Sequence, residues 1–442
     1  MHSKQGIYYI VSLTGLTLTM LFFAGGAYAN GLGDVLHQVE QRAPQLHAAS
    51  ARAGASAAGI RVAESQYWGH AETFAVTTHY NNARLVNPIG FPSVLTRSLF
   101  DQNTYGFGAA YTLPIDIDGR ITAKVHAQEH LSQAAHQGVE QTRLSLFAQT
   151  VSLYRGLQRL KGVKQSHLAH LKALQGHRKV TAASVKVGRV AAVELLRIEA
   201  EIKSVEGLLA GLHGDEVRLR ATLGALLNQG AFADAVESLN ATPSGKLSSD
   251  GSDEALKNRP DLLAANSVTR AENENFKGAK REWLPALSLR AETMRNQGYT
   301  ASGANTWSVS AQLSWQFWDG GRRFANSDRA QANKEVARQQ YQSILNQAKA
   351  ELLSAEAGWH AASEQYQAAT SGLKSATETE RIQSDRFNNG RISAVDLIDA
   401  EAALARARAD RTTALANWWL ADDQLYLAEG NEPLAYTESG DK

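Results

Sequence analysis

The sequence predicts a mainly α-helical protein with a smaller β-sheet part, built as a tandem duplication of one structural unit. Three observations support this prediction: the positions of the prolines, an internal repeat, and a change of hydrophobic period inside each repeat. The 8 prolines of the 442-residue chain leave residues 115–242 and 286–432 free of proline. Because proline breaks helices, two windows of this length favour long helices over compact globular domains.

The composition excludes several kinds of site and partner. The chain contains no cysteine, so it can form no disulfide, no thiolate metal site and no lipid-modified N-terminal cysteine. Its formal net charge of +1 lacks the basic excess that proteins binding nucleic acid normally carry. We therefore expect no nucleic-acid partner.

The N-terminus has the pattern of a secretory signal. Lys4 precedes an apolar stretch, residues 7–23, and residues 27–29 read Ala-Tyr-Ala, a small-x-small cleavage site. We interpret residues 1–29 as a signal peptide; the alternative is a retained membrane anchor, because the stretch approaches the length of a membrane span. No second apolar run of that length follows, so the mature chain is expected to be periplasmic, secreted, or a membrane β-barrel.

Two copies of one unit follow the signal. Residues 43–46 (Ala-Pro-Gln-Leu) return as residues 259–262 (Arg-Pro-Asp-Leu), at an offset of 216 (260 − 44). Further on, residues 118–120 correspond to residues 320–322 at an offset of 202 (322 − 120), which also places Glu199 on Glu401. The first copy thus has 14 extra residues (216 − 202), in an interval with loop-forming residues: Asn81, Asn82, Asn87, Pro88, Gly90 and Pro92.

The repeat divides the mature chain into two units and two short segments. The first copy is predicted at residues 30–230 and the second at 258–430. A linker, residues 231–257, joins them, and residues 431–442 form a C-terminal tail.

Each copy contains two segments in which apolar and polar residues alternate, strictly over residues 307–317 and more weakly in the first copy. We predict strands at about 71–81 and 104–114, and at about 286–296 and 306–317. Membrane β-strands need about 9 to 11 residues and turn their apolar side chains outward. The apolar positions of the first strand are Phe74, Val76 and Tyr80, and the glycines Gly106 and Gly108 of the second are expected to face the lumen. The expected membrane face of the last strand consists of Trp307, Val309, Leu313, Trp315 and Phe317.

A half-buried hairpin in a soluble sheet is the alternative for any one of these segments. The signal sequence and the presence of four such strands favour the membrane interpretation. The smallest membrane barrels have about eight strands, so four cannot close one. Three chains with two hairpins each would supply twelve.

Long helices follow the strands, at about 120–187 and 322–389, and helices return at about 190–229 and 393–429. Apolar residues between 341 and 376 alternate steps of four and three over five heptads, the pattern of a coiled-coil seam. In the first copy this seam includes Thr150, Lys164 and His167. Each long helix ends at a glycine, Gly188 or Gly390.

With these features the chain resembles the TolC family of outer-membrane efflux proteins. The resemblance rests on residues 258–262 (Asn-Arg-Pro-Asp-Leu), residues 317–322 (Phe-Trp-Asp-Gly-Gly-Arg), and Gly390 followed by residues 395–401 (Val-Asp-Leu-Ile-Asp-Ala-Glu). It implies a homotrimer in which a 12-strand barrel in the outer membrane, held in its lipid, continues as a long α-helical coiled-coil barrel through the periplasm. It implies the exit duct of a tripartite efflux or type I secretion system, which has no cofactor and no catalytic activity. The implied partners are a periplasmic adaptor and an inner-membrane transporter of RND or ABC type.

The resemblance also assigns roles near the helical turn. Asp396 and Asp399 lie one helical turn apart and match the carboxylates that line the periplasmic entrance in the family. Without the resemblance, acidic residues in a first helical turn only complement the helix dipole. The first copy has Glu194 and Arg197 at these positions, so one hairpin per chain would supply both carboxylates. Packing of the tip and adaptor docking are expected at Gly188, Val190, Glu194, Phe387, Gly390 and Ile392.

Other patterns carry weaker signals. His126, Glu129, His130 and His136 sit on the first long helix but lack the ligand set of a zinc site, so we expect no metal. No nucleophile, base and orienting group come together, so we expect no enzyme. The main competing hypothesis is a periplasmic coiled-coil adaptor or scaffold of an export complex, which would also explain the heptads and the signal.

Overall fold

The structure, a computed structural model, describes residues 31–87, 99–239, 241–243 and 256–440. Over these ranges the chain is mostly α-helical, with four long strands between the helices. The predicted signal peptide lies outside the described residues. So do residues 88–98, which contain part of the predicted loop of the first copy.

Both copies follow the same order of elements, apart from one further helix described at the start of the first copy. The first copy comprises α1 Leu32–Arg42, α2 Pro44–Glu64, β1 His70–Leu85, β2 Phe100–Ile115, α3 Arg120–Lys186 and α4 Ala192–Leu226. The second copy comprises α5 Pro260–Arg281, β3 Ala286–Gly298, β4 Ala304–Ser314, α6 Arg322–Asn388 and α7 Ala394–Ala428. A short helix, α8, covers Leu434–Gly440. The mainly helical fold with antiparallel strands that the sequence predicts is confirmed.

The four strands form one antiparallel sheet in the order β1-β2-β3-β4. The central pair, β2 and β3, joins the two copies, with Tyr111 opposite Ala291. Strand β1 is longer than predicted, because Asn81 and Asn82 belong to it and not to a loop. They lie where its register against β2 shifts, between His79 and Arg84. Such irregularities let a strand continue through residues that pair poorly.

One face of the sheet is apolar and exposed. Residues directly opposite each other in an antiparallel pair share a face, which puts Phe107, Tyr111 and Trp307 on the same side. The exposed fraction is 66% for Phe107, 79% for Trp307 and 70% for Val309, and Leu313 is also exposed. The opposite face carries Arg290 and Glu292, which form an ion pair. A soluble sheet would cover the apolar face and expose the polar one.

The first strand does not follow the expected pattern. Phe74 lies opposite Gly108 and Val76 opposite Gly106, so their side chains share the polar face with Arg290 and not the apolar one. A Cβ atom on Gly108 would lie 2.9 Å from the Phe74 ring, and one on Gly106 would lie 2.9 Å from Val76. The two glycines therefore give room to apolar side chains from β1, a packing relation between strands that alternation within one strand does not reveal.

The last strand ends at Ser314, three residues earlier than predicted. Trp315 and Phe317 are exposed but lie beyond the strand, which corrects their assignment to it. Trp315 Nε1 donates to the Trp283 carbonyl at 3.1 Å, and Arg323 donates to the carbonyls of Gln316 at 3.1 Å and Phe317 at 2.8 Å. These side-chain contacts replace strand pairing where the sheet meets α6.

Two helices of 67 residues, α3 and α6, dominate the shape of the chain. At 1.5 Å per residue each is about 100 Å long. Helix α3 packs against α2 and α4 of its own copy and against α5 and α7 of the other copy. Within the described part of the chain, no helix combines the length and the apolar character needed to cross a membrane.

The largest apolar cluster gathers segments that are far apart in sequence. It combines residues of α1, α3 and α4 with Phe232 and Val236 of the predicted linker, and Tyr436 of α8 packs against it. Arg143 of α3 pairs with Glu40 of α1 at 3.4 Å and with Glu432 at 2.6 Å. The described parts of the predicted linker and tail are therefore packing elements, because their apolar side chains lie against the helices.

A buried ion pair holds the two copies together. Arg155 of α3 donates from Nε to Asp423 Oδ2 of α7 at 2.8 Å, and their side chains are 7% and 4% exposed. The neighbouring Asp422 accepts a bond from Trp359 Nε1 at 2.8 Å. Burial raises the pKa of both carboxyls, since a charge deep among packed helices loses its hydration. The guanidinium of Arg155 is the cation that compensates Asp423.

We expect the substitution Asp423→Ala to destabilise the fold by about 3–5 kcal/mol, because it leaves Arg155 buried without its partner. The free energy of unfolding in urea, followed by circular dichroism in detergent, measures this loss. Asp215→Ala is the control, since Asp215 pairs with Arg218 on an exposed surface where such pairs contribute about 0–1 kcal/mol. Equal losses in the two variants would contradict a specific role for the buried pair.

Candidate functional site

Each long helix turns sharply into its returning helix, and a glycine makes the turn possible. Gly188 has φ 72° and Gly390 has φ 70°, in the left-handed region that other residues avoid. Gly390 N donates to Phe387 O at 2.8 Å and Arg391 N donates to Arg386 O at 2.9 Å, which satisfies the last carbonyls of α6. We call the two turns, with the adjoining ends of α3, α4, α6 and α7, the tip.

The second turn is capped by side chains. Ser393 N donates to Asp396 Oδ2 at 3.1 Å, and Asp396 N donates to Ser393 Oγ at 3.4 Å, a reciprocal capping box at the start of α7. Helix α4 begins after Ala191, which offers no side-chain cap. Asp396 therefore stabilises the helix end as well as presenting a charge.

Asp396 and Asp399 are both exposed, while the adjacent Leu397 and Ala400 are buried. The two carboxylates consequently share the outward face of the first turns of α7. In the first copy Glu194 instead pairs with Arg197 at 3.4 Å. Among the described residues, Asp396 and Asp399 form no ion pair, whereas the charge of Glu194 is neutralised by Arg197. Lining of an entrance by Asp396 and Asp399 stays a prediction.

An apolar cluster packs inside the tip. It contains Leu174 of α3, residues 198, 202 and 205 of α4, and Ala394 of α7, and Phe387 and Ile398 pack against it. Val190 and Ile392 lie in the turns and are half-buried. The cluster draws on all four helices of the tip, so the two hairpins of one chain are in direct contact there.

A polar contact beside this cluster is not found by sequence reasoning. His177 Nε2 of α3 and Glu401 Oε1 of α7 lie 2.6 Å apart, and the ring of Phe387 meets the His177 ring edge-on at 6.0 Å. In the sequence, Glu401 is the repeat equivalent of Glu199 and the last residue of the 395–401 motif, and neither pattern points to His177. The one signal that the sequence offers for this contact is an acidic residue at a position that is buried between the helices.

A groove of about 750 Å³ lies between α3 and α4 near the tip. Its lining is mainly charged: Arg178, Lys179, Glu199, Lys203 and Glu206. Arg178 and Glu199 pair across it at 2.8 Å. Among the residues that the structure describes, no three His, Asp or Glu side chains come together as metal ligands.

The family is identified by comparison with known proteins. Residues 35–229 and 251–431 match the family described as outer membrane efflux protein. The two matched segments correspond to the two copies of the repeat. Together they cover most of the chain.

Individual relatives are distant. The outer membrane protein OprJ of Pseudomonas aeruginosa is 27% identical over 152 residues, which are 34% of this chain and 32% of that protein. The toluene efflux pump outer membrane protein TtgC of Pseudomonas putida is 22% identical over 306 residues, 68% of this chain and 63% of that protein. The matches span about one third to two thirds of the length of these relatives.

Solved structures show the same fold. The outer membrane protein VceC from Vibrio cholerae superimposes with a TM-score of 0.78 at 20% identity, over 91% of this chain and 96% of that chain. The resemblance to the TolC family that the sequence motifs suggest is confirmed. The chain belongs to the outer membrane efflux protein family, and it is an outer-membrane protein that extends into the periplasm.

Proposed function

We propose that three copies of this chain form the outer-membrane exit duct of a tripartite efflux system. The observation that carries the proposal is the arrangement of the sheet: its apolar face is exposed, and its opposite face carries charged residues. Such a sheet suits lipid on one side and water on the other. The helices extending about 100 Å from it suit a passage across the periplasm.

Closure of the barrel requires more than one chain. Within the described residues β1 and β4 each have one unpaired edge. Unpaired edges cannot face lipid, because their backbone groups would lack hydrogen bonds. Pairing β4 of one chain with β1 of the next chain closes a barrel of twelve strands from three chains. Exposed apolar residues on α4 and α6 would then pack between chains: Leu196, Leu208, Val217, Val336 and Leu353.

The tip is the entrance of the duct in this proposal. Three chains place Asp396 and Asp399 in two rings of three carboxylates each, which favours cations over anions in the pore. The residues Gly188, Val190, Glu194, Phe387, Gly390 and Ile392 form the end that a periplasmic adaptor contacts. An inner-membrane transporter of RND or ABC type supplies the substrate. Relatives such as the toluene efflux pump outer membrane protein TtgC favour efflux over protein secretion.

We expect the purified protein to form trimers in detergent and stable channels in planar lipid bilayers. Mass determination by light scattering and single-channel recording measure the two properties. A periplasmic adaptor or scaffold would give no channel. A protein that stays monomeric in detergent, or that never conducts, contradicts the exit-duct proposal.

The substitution Val309→Arg should prevent insertion, because a charge on the lipid face costs roughly 2–4 kcal/mol near the bilayer centre. The amount of protein recovered in the outer-membrane fraction measures this. Ser308→Arg is the matched control, since Ser308 directly precedes Val309 but lies opposite Glu292 on the other face. If both variants insert equally well, the exposed apolar face is not a membrane surface.

The double substitution Asp396→Asn and Asp399→Asn should weaken the block of conductance by multivalent cations several-fold, because it removes the charge of both rings. Asparagine can still accept the capping hydrogen bond of α7. Glu194→Gln serves as the control, since Arg197 already neutralises that carboxylate. Unchanged block in the double variant would leave the two aspartates with a role at the helix end alone.

A further inference from the structure

The contact between His177 and Glu401 joins the two hairpins of one chain near the tip. His177 lies on α3 of the first copy and Glu401 on α7 of the second, with 2.6 Å between Nε2 and Oε1. The Glu401 side chain is 7% exposed and the His177 side chain 24%. Glu401 is seven residues beyond the start of α7, so the contact fixes the same helical segment that carries Asp396 and Asp399.

The repeat explains why Glu401 turns to the other hairpin. Its equivalent in the first copy, Glu199, pairs with Arg178 of its own hairpin at 2.8 Å. The position equivalent to Arg178 in the second copy is Glu380, an acid, at the same offset of 202 (380 − 178). Glu401 therefore has no cation on its own hairpin at that position, and its partner is His177 of the first copy.

Among the described residues, His177 is the one hydrogen-bond partner of the Glu401 carboxylate. Its second oxygen, Oε2, is buried and has no hydrogen-bond partner, and the nearby His170 Nε2 is likewise buried and unpartnered. A carboxylate held by a single bond in a dry site is stabilised strongly only when its partner is a cation. Protonated His177 is a cation and neutral His177 is not.

The other titratable groups facing the contact do not replace His177. Helix α6 contributes Glu380 and α4 contributes Glu201, both acidic. Helix α3 contributes His170, with His167 beside it, and burial lowers the pKa of both imidazoles, which favours their neutral form. The hydrogen bond to Glu401 raises the pKa of His177.

We propose that His177 and Glu401 form a pH-dependent latch that holds the tip of the α6–α7 hairpin against α3. With His177 protonated the latch is an ion pair and the hairpins stay together. With His177 neutral it is a weaker hydrogen bond beside an unpartnered carboxylate oxygen, and the hairpins separate more readily. Its effect on a pore rests on the proposed function, whereas the latch itself does not.

The direction of the pH dependence follows from the raised pKa. The stabilisation is fully present below the ordinary histidine pKa of about 6.5 and is lost as the pH rises through the higher value of the folded protein. Mild acid thus tightens the tip, and mild alkali loosens it.

Spin labels can measure the separation of the hairpins. Because the chain has no cysteine, Val193→Cys on α4 and Arg391→Cys in the second turn provide a unique pair of exposed labelling sites. Labelled protein is diluted with unlabelled protein, so that only distances within one chain are read. We expect the distance distribution to shift to longer values between about pH 5.5 and about pH 8.5, the range in which histidine titrates.

Three variants test the cause of that shift. His177→Lys keeps a cation and should hold the short distance at both pH values, whereas Glu401→Gln should give the long distance at both. His213→Gln alters an exposed histidine of α4 and should behave as the unchanged chain does. A distance that does not respond to pH, or a shift that persists in Glu401→Gln, overturns the latch.

Channel recording separates the latch from the proposed function. A pH-dependent distance that is abolished in Glu401→Gln supports the latch even if the protein never conducts, in which case the exit duct is wrong. Conductance with no pH-dependent distance supports the duct and overturns the latch. If both proposals hold, conductance rises with pH in the unchanged chain and loses this rise in both His177→Lys and Glu401→Gln.

Discussion

The exposed apolar face of the sheet is the constraint on which the rest of the structure depends. Side chains such as Phe107, Trp307 and Val309 have nothing over them in the described chain, and their burial requires a nonpolar environment outside the protein. A bilayer supplies that environment only to a sheet without open edges. The described part of the chain has two open edges. In the proposed duct, membrane placement and the association of chains are therefore two consequences of the same surface.

The two copies of the repeat have the same fold but different roles. Helix α3 of the first copy is the packing centre, because it contacts α2, α4, α5 and α7. The buried ion pair of Arg155 and Asp423 is a polar contact at one point along this packing centre, and it fixes the position of α7 along α3. Sheet pairing between β2 and β3 joins the copies at one end, and the ion pair joins them along the helices.

The two copies differ in their side-chain contacts at the tip. Only the second hairpin has a capping box and two exposed aspartates, and only its Glu401 reaches across to His177. Each difference arises from one or two substitutions at equivalent positions, such as Arg178 against Glu380. A duplicated chain can thus keep its helices in register while one hairpin acquires charges that the other lacks.

The sequence by itself determined the duplication, the helical and strand regions, the glycine turns and the family, because these follow from local periodicity and local backbone needs. It did not determine the face of β1 that carries Phe74 and Val76, the end of β4 at Ser314, or the packing of the linker and tail. It also missed His177 and Glu401, which are 224 residues apart. Only the tertiary structure decided these features, because each depends on which distant side chains fill the space beside a residue. Hydrophobic periodicity indicates whether a residue is covered, but not which residues cover it.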